Sequence, residues 1–370
     1  MIGFNNILLI QLGDIGDVVL TSPTIRAAKE SYPAARISIL VFKPYGSLLA
    51  ADPDVYEVIE TSRSRGSPLR RLRASAAFAR NLRQKKYDLV IDLRTGDRGA
   101  ILSFLTGAQV RVGYRGTQKL FWHKILFTKI IRELKIAPPP VHPGADQALR
   151  IVREIGIDTM DSIPRLHITQ NDLLRSQTLL EETGIPSGSR IVTINPFSRW
   201  KYKEWNLAKW RAVIDHIWES HRISTVLIGS PEEASASQLI IAGQEGRAIS
   251  LAGKTTLSEL AATISLSSLH IGVDSAAPHI AAAVGTPTVT IHGPSDWRAW
   301  RIVSDLHKVV IPVMGCVPCN RRGCDDTELS QCLEQLGTDA VIEAIDSVLQ
   351  KLNGLRASNH DSTDTHSVGK

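Results

Sequence analysis

The chain has 370 residues, with 43 Lys+Arg against 37 Asp+Glu, a formal net charge of +6, 43% hydrophobic and 22% charged residues. These figures sit near the globular average and exclude disordered, collagen-like and coiled-coil proteins; no apolar run approaches the ~18–20 residues that span a bilayer. The run Ile7–Ile10 is too short for a signal h-region and Asp14 and Asp17 follow at once, so the expectation is a soluble, cytosolic protein, at about twice the usual domain length and hence with two domains.

In chain order, residues 6–12 (NILLIQL) read as a buried parallel strand ending at a glycine. Residues 23–32 (PTIRAAKESY) read as a helix with Pro near its first turn, and 35–41 (ARISILV) and 55–60 as strands. A basic, Ala-rich segment with helical character precedes the strand 87–93 (YDLVIDL), and 136–144 (IAPPPVHPG) breaks the pattern as a loop. A second βα series opens at 191–195 (IVTIN) and continues through the amphipathic helix 208–219, the strand 224–228 and the helix 257–264. The strand 269–273 (LHIGV), a helix 278–284 and the strand 286–291 follow. A last helix runs from about Asp339 to Leu352, and 356–370 is a polar tail expected to be disordered. Such alternation predicts doubly wound parallel sheets with right-handed crossovers, whose ligands bind beyond the carboxyl ends of the strands.

Charge divides the two series. Residues 1–170 hold 25 Lys/Arg and 15 Asp/Glu, a net of +10, whereas residues 171–370 hold 18 and 22, a net of −4. Arg63, Arg65, Arg70, Arg71, Arg73, Arg80, Arg83, Lys85 and Lys86 follow one another with no acid between Ser62 and Tyr87. A basic half suggests an anionic partner, set against the blander reading of a solvated face.

Four segments carry candidate chemistry. After the first strand, Gly13 and Gly16 permit a tight turn in G-x-x-G spacing, without the G-x-G-x-x-G of a dinucleotide fold. The Asp14 and Asp17 carboxylates on that turn suit either a general base or a helix cap. Second, Asp274, Ser275, Ala276 and His279 follow a strand and open a helix of small residues, a setting for a diphosphate or for a capped helix with a satisfied histidine. The turn His292–Asp296 after the next strand is expected to border the same cleft. Third, the segment Asn195–Trp205, with Ser198 and Lys203, mixes three cations with four aromatics; the cations can offset leaving-phosphate charge and the aromatics can pack the loop. Fourth, Glu232 or Glu233 can accept from ribose hydroxyls or simply start a helix. The four cysteines, Cys316, Cys319, Cys324 and Cys332, cluster in one segment, which suggests a structural zinc or reactive thiols rather than disulfides, although the spacing is not that of paired zinc knuckles.

In this order the motifs resemble the heptosyltransferases of lipopolysaccharide core synthesis, glycosyltransferase family 9, from Ile7 to about Leu352. The most specific parts are GDIGDVVLTSP, the Lys203-x-Trp205 loop, SLAGKTTLSEL and GVDSAAPHIAAAVGTPTVTIHGPSD. WNLAKWRAVIDHI with GVDSAAPHIAAAVGTP looks most like the branch of the family that adds the third, branching heptose. The resemblance implies an α/β protein of GT-B architecture, two Rossmann-like doubly wound domains facing a central cleft. It implies an acceptor domain at 1–165, a linker at 166–189, a nucleotide-sugar domain at 190–355 and the tail. It further implies an inverting, metal-independent transfer of heptose from ADP-heptose, as substrate rather than cofactor, with Asp17 as general base. Lys203 would lie near the donor phosphates, Ser198, Asp274, Ser275 and His279 would contact the donor, Thr255 would lie near the adenine, and Glu232 or Glu233 at the ribose. Ala276 would also contact the donor, through its backbone, although Ser275–Pro278 replaces the Thr-Gly-Leu-Ser common in the family. The cysteine run recurs in parts of the family, which favours a structural role. The implied partners are a lipid A–core acceptor and an anionic membrane surface met by Arg63, Arg65, Arg70, Arg71 and Arg73, at the inner face of the bacterial inner membrane. The alternatives are a GT-B transferase using another nucleotide sugar and, of another class, a basic nucleic-acid-binding protein, for which no reader motif or aromatic platform is present.

Overall fold

The computed structural model of the chain describes residues 3–62, 68–94, 96–114, 122–132, 142–325 and 327–364, without the side chains of 68–72 and 356–364. The chain divides into two compact units, Met1–His167 and Ile168–Lys370.

Unit 1 holds the strands β1 (Asn6–Gln11), β2 (Arg36–Phe42), β3 (Glu57–Thr61), β4 (Leu89–Asp92), β5 (Val110–Tyr114) and β6 (Lys129–Ile131), all parallel, in the order β3-β2-β1-β4-β5-β6. Its helices are α1 (Ile15–Val19), α2 (Ser22–Ser31), α3 (Pro68–Gln84), α4 (Asp97–Leu105), α5 (His123–Leu126) and α6 (Pro143–Arg153). The central β1 is buried on both faces, as its unbroken Ile-Leu-Leu-Ile run requires: Ile7 to Ile10 have no exposed surface.

Unit 2 opens with α7 (Gln170–Glu182) and repeats the scheme with β7 (Ile191–Asn195), β8 (Ser224–Leu227), β9 (Ala248–Ser250), β10 (Leu269–Val273), β11 (Thr288–Ile291) and β12 (His307–Val310). The order β12-β11-β10-β7-β8-β9 is the arrangement of unit 1 read from the other edge. The helices are α8 (Leu207–His221), α9 (Ala234–Ile241), α10 (Leu257–Ser265), α11 (Ala277–Ala283), α12 (Gln331–Gln335) and α13 (Asp339–Asp364). Trp205, Trp210 and Ile217 join Val192, Ile271 and Ile345 in one buried core.

Both sheets are doubly wound and parallel, in the order of nucleotide-binding folds. Four strands carry no sequence reading above, β5, β6, β9 and β12; VRVGY, KII, AIS and HKVV are short and lie toward the sheet edges, and all but AIS, which has only three residues, are interrupted by charge. Two segments differ from expectation. The linker 166–189 carries the thirteen-residue α7, which packs on α10 and donates the Ser176 hydroxyl to the Glu259 carbonyl, so most of it belongs to unit 2. The tail expected to be disordered is helical from 356 to Asp364: no proline follows Leu352, and Gly354 keeps a helical backbone rather than the positive φ of a helix-ending cap, so α13 runs on through it. Residues 365–370, and most of the loop 136–144, lie outside the described residues.

Candidate active site

In unit 2 the functional side chains come from successive loops at the carboxyl edge of the sheet. β7 pairs with β10 although β8 follows it in sequence, so the winding reverses between them and their loops splay apart to leave a crevice. The loop after β7 brings Ser198 and Lys203; the loop after β10 brings Asp274. Lys203 Nζ donates to Asp274 Oδ2 at 2.7 Å, and Ser198 Oγ donates to the Asp274 carbonyl at 3.3 Å. Ser295, after β11, donates its hydroxyl to the same Oδ2, and His292 Nδ1 lies 3.9 Å from it. Burial works against the Asp274 charge, but His292 and Lys203 outweigh it and hold the carboxyl below its usual range. The result is a largely buried lysine–aspartate ion pair at the mouth of the crevice.

The loop bearing Lys203 is held from behind. Trp205 is 1% exposed, donates its indole N–H to the Leu336 carbonyl at 3.1 Å and meets Trp210 edge to face at 5.2 Å. Glu204 accepts from the Ser198 N–H at 3.0 Å and from Lys201 at 2.9 Å. Of the three cations in this loop, Lys203 is therefore the one directed at Asp274, and its buried aromatics, Phe197 and Trp205, are packing.

His279 enters in the first turn of α11, buried and edge-on to Trp300 with ring centroids 6.1 Å apart. Burial lowers its imidazole to about 4, so that ring is neutral near pH 7, and burial lowers His292 as well. A shallow recess opens beside them, lined by Asp274, Ser275, His279, His292, Trp300 and Arg301. Trp300 and Arg301 carried no signal in sequence, since they lie beyond the motif that ends at Asp296. The backbone of Ala276 caps α11, a helix of only seven residues.

The pair of glutamates after β8 resolves into two environments. Glu233 accepts from the Ser230 N–H at 2.7 Å, closing a capping box, whereas Glu232 is fully exposed. Thr255 is half-buried between β9 and α10, next to Thr256, which caps that helix.

Unit 1 carries a counterpart at its own switch point, between β1 and β4. Asp17 Oδ2 accepts from the Asp14 N–H at 2.9 Å, and its Oδ1 accepts from Arg94, after β4, at 2.8 Å. Asp17 thus caps α1 and also presents a carboxylate at the carboxyl edge. Burial raises its pKa, with Arg94 opposing. Gly13 is required by this geometry: a Cβ there would fall 2.3 Å from Asp17 Oδ2. Arg94 was not singled out from sequence, because only the β1–β4 pairing brings it to Asp17. Asp92, at the end of β4, is 1% exposed; its Oδ1 accepts from the Arg94 N–H at 3.1 Å and its Oδ2 has no hydrogen-bond partner among the described residues. Burial raises it to about 8.

The basic run is only partly described. Arg63 and Arg65 lie outside the described residues, Arg70 and Arg71 belong to α3 without described side chains, and Arg73, Arg80, Arg83 and Lys86 are exposed. Lys85 is paired with Glu57 at 2.6 Å. Cys316, Cys319, Cys324 and Cys332 are free thiols, and burial, with the three other cysteines, raises the Cys332 thiol. Among the described residues no three of these sulfurs come within 4.8 Å of one another, so they form no ready-made ligand set.

Two doubly wound parallel sheets, the second with a lysine–aspartate pair at its switch point, are the architecture of the GT-B glycosyltransferases. A model of the family "Glycosyltransferase family 9 (heptosyltransferase)" matches residues 75–329. Lipopolysaccharide heptosyltransferase 3 of Escherichia coli is 30% identical over 295 residues, covering 77% of this chain and 83% of that protein. Lipopolysaccharide heptosyltransferase 2 of the K12 strain is 25% identical, covering 82% and 90%. Among solved structures, a glycosyltransferase family 9 protein from Veillonella parvula has a TM-score of 0.79 at 21% identity, covering 94% of this chain and 98% of its own. The E. coli ADP-heptose lipopolysaccharide heptosyltransferase II has a TM-score of 0.76 at 19% identity, covering 94% and 99%. The chain belongs to glycosyltransferase family 9 and is a heptosyltransferase.

Proposed function

We propose that the chain transfers heptose from ADP-heptose to a heptose of the lipopolysaccharide inner core, with inversion and without a catalytic metal. The observation that carries this is the placement of Ser198, Lys203, Asp274, Thr255 and Glu232 at one carboxyl edge, on the loops after β7, β8, β9 and β10, with His279 in the first turn of α11. Support for the donor comes from a neighbour of TM-score about 0.65, the E. coli heptosyltransferase WaaC, solved with ADP and with ADP-2-deoxy-2-fluoro heptose. In this scheme Lys203 leaves Asp274 for the diphosphate and offsets the charge that develops as ADP departs. His279, neutral, contributes a ring N–H rather than a positive charge. Glu232 takes the ribose, since Glu233 is engaged in its cap, and Thr255 flanks the adenine. Asp17 removes the acceptor hydroxyl's proton as that oxygen attacks the anomeric carbon; Arg94 keeps the carboxylate ionised and oriented.

The acceptor is a phosphorylated glycolipid, and the protein works peripherally at the cytoplasmic face of the membrane. Support lies in the exposed cations of α3 and in Ile101 and Phe104 of the adjoining α4, which are exposed apolar side chains. Among the described residues no helix is long and apolar enough to cross a membrane. Incubation with ADP-heptose and truncated core acceptors, followed by mass analysis, tests the assignment: a single added heptose is expected. Transfer from UDP-sugars in preference would replace it with another GT-B donor.

A further inference from the structure

Away from the donor loops, two helices of unit 2 bring three metal-ligating side chains together. α8 connects parallel strands, so it runs back along the sheet and its last turn lies at the amino edge, opposite Lys203 and Asp274. There His216 and His221 turn both Nε2 atoms onto one oxygen, Oδ1 of Asp346 in α13, at 2.9 and 2.7 Å. The imidazoles meet edge to face with centroids 5.8 Å apart. Among the described residues this is the one grouping in which three His, Cys, Asp or Glu donor atoms lie within 4.8 Å of one another. All three side chains are half-buried on regular helices, accessible to an ion yet held in place.

The donor set is chemically selective. Two imidazoles and one carboxylate suit a borderline cation of the zinc class far better than calcium or magnesium, and three protein ligands leave a fourth position for water. His216 also has an outer partner: its Nδ1 faces Ser220 Oγ at 3.4 Å. Donation from Nδ1–H to that hydroxyl leaves the Nε2 lone pair for an ion, which is how metal-bound histidines are usually oriented. The carbonyls at the end of α8 add negative potential at the same place. Ligands about 2.0–2.1 Å from a tetrahedral ion stand roughly 3.3 Å apart, so each Nε2 needs to move only about half an ångström farther from Asp346 Oδ1.

The geometry points to a structural site for a zinc-class divalent cation, held by His216 Nε2, His221 Nε2 and the Asp346 carboxylate with water as fourth ligand, that ties α13 to α8. It uses neither the cysteines nor any residue of the donor site.

Calorimetric titration of the metal-free full-length protein with ZnCl2 tests the site against His216→Asn/His221→Asn. The parent is expected to bind one equivalent more than the variant, because zinc taken by cysteines is common to both and cancels in the difference. Zinc at a hundred times its dissociation constant should raise the parent's Tm by about 5–10 °C more than the variant's. His221→Gln repeats the comparison with one ligand removed, and Asp346→Asn, which keeps both imidazoles, should bind roughly tenfold more weakly or worse. Equal stoichiometry and equal Tm shifts in parent and variants overturn the site and leave the triad as an ion-pair cluster between two helices.

Discussion

Asp17 holds two structural bonds beside the general-base role proposed for it, and the two kinds of function should separate on mutation. Asp17→Asn keeps an acceptor for the Asp14 N–H but loses the base, so turnover should fall by about 10²–10⁴ with ADP affinity unchanged in a binding assay. Its carboxyl is raised by burial and restrained by Arg94. Arg94→Gln should therefore move the acid limb of the kcat/KM profile to higher pH; an unmoved limb would remove Arg94 from that task. Asp92 behaves differently. Its folded pKa of about 8 lies well above the ~3.9 of an unfolded aspartate, so stability is fully present below the unfolded value. It is then lost as pH rises from about 4 to 8, where only the unfolded chain ionises. Asp92→Asn removes that loss, and its Tm advantage over the parent should grow between pH 5 and pH 8.

At the scale of elements, the loop after β7 depends on a residue that touches no ligand. Trp205 fills the core behind Lys203 and ties the loop to the Leu336 carbonyl. Trp205→Ala should cost about 3–5 kcal/mol in chemical denaturation, and activity should fall even where the variant remains folded, because Lys203 loses its support. The Lys203-x-Trp205 spacing joins the lysine proposed to meet the donor to the side chain that holds its loop. The turn after β1 has the same logic, since Gly13 is small so that Asp17 can cross above it. α11 is too short to supply a full helix dipole, which leaves Lys203 as the principal positive charge facing Asp274.

For the whole molecule, charge is distributed by unit: the basic excess belongs to residues 1–170 and includes the exposed Arg73, Arg80 and Arg83 of α3. The triple reversal Arg73→Glu/Arg80→Glu/Arg83→Glu should lower transfer to acceptor embedded in anionic vesicles and flatten its salt dependence, with little change on a water-soluble truncated acceptor. Equal loss on both acceptors would place these arginines in folding rather than at a membrane. The same fold appears twice in the chain with roles exchanged at the switch points. In unit 1 the aspartate follows the first strand and the cation the fourth; in unit 2 the cation follows the first strand and the aspartate the fourth.

The amino-acid sequence determined the class of fold, the two βα series and which residues stand as candidates for the site, because each strand-to-loop motif is local: apolar runs end at Gly13, Asn195, Gly229 and Asp274, and the candidate side chains follow within a few residues. Local signals could not supply what depends on strand order. That β1 lies beside β4, and β7 beside β10, is set by how crossovers bury both sheet faces, and it alone brings Arg94 to Asp17 and Lys203 to Asp274. Nor could spacing foresee the charge states of the histidines, the choice of Glu233 for capping, or the approach of His216 and His221 to Asp346, 125 residues or more along the chain. Those follow from burial and helix packing, which exist only once the chain has folded.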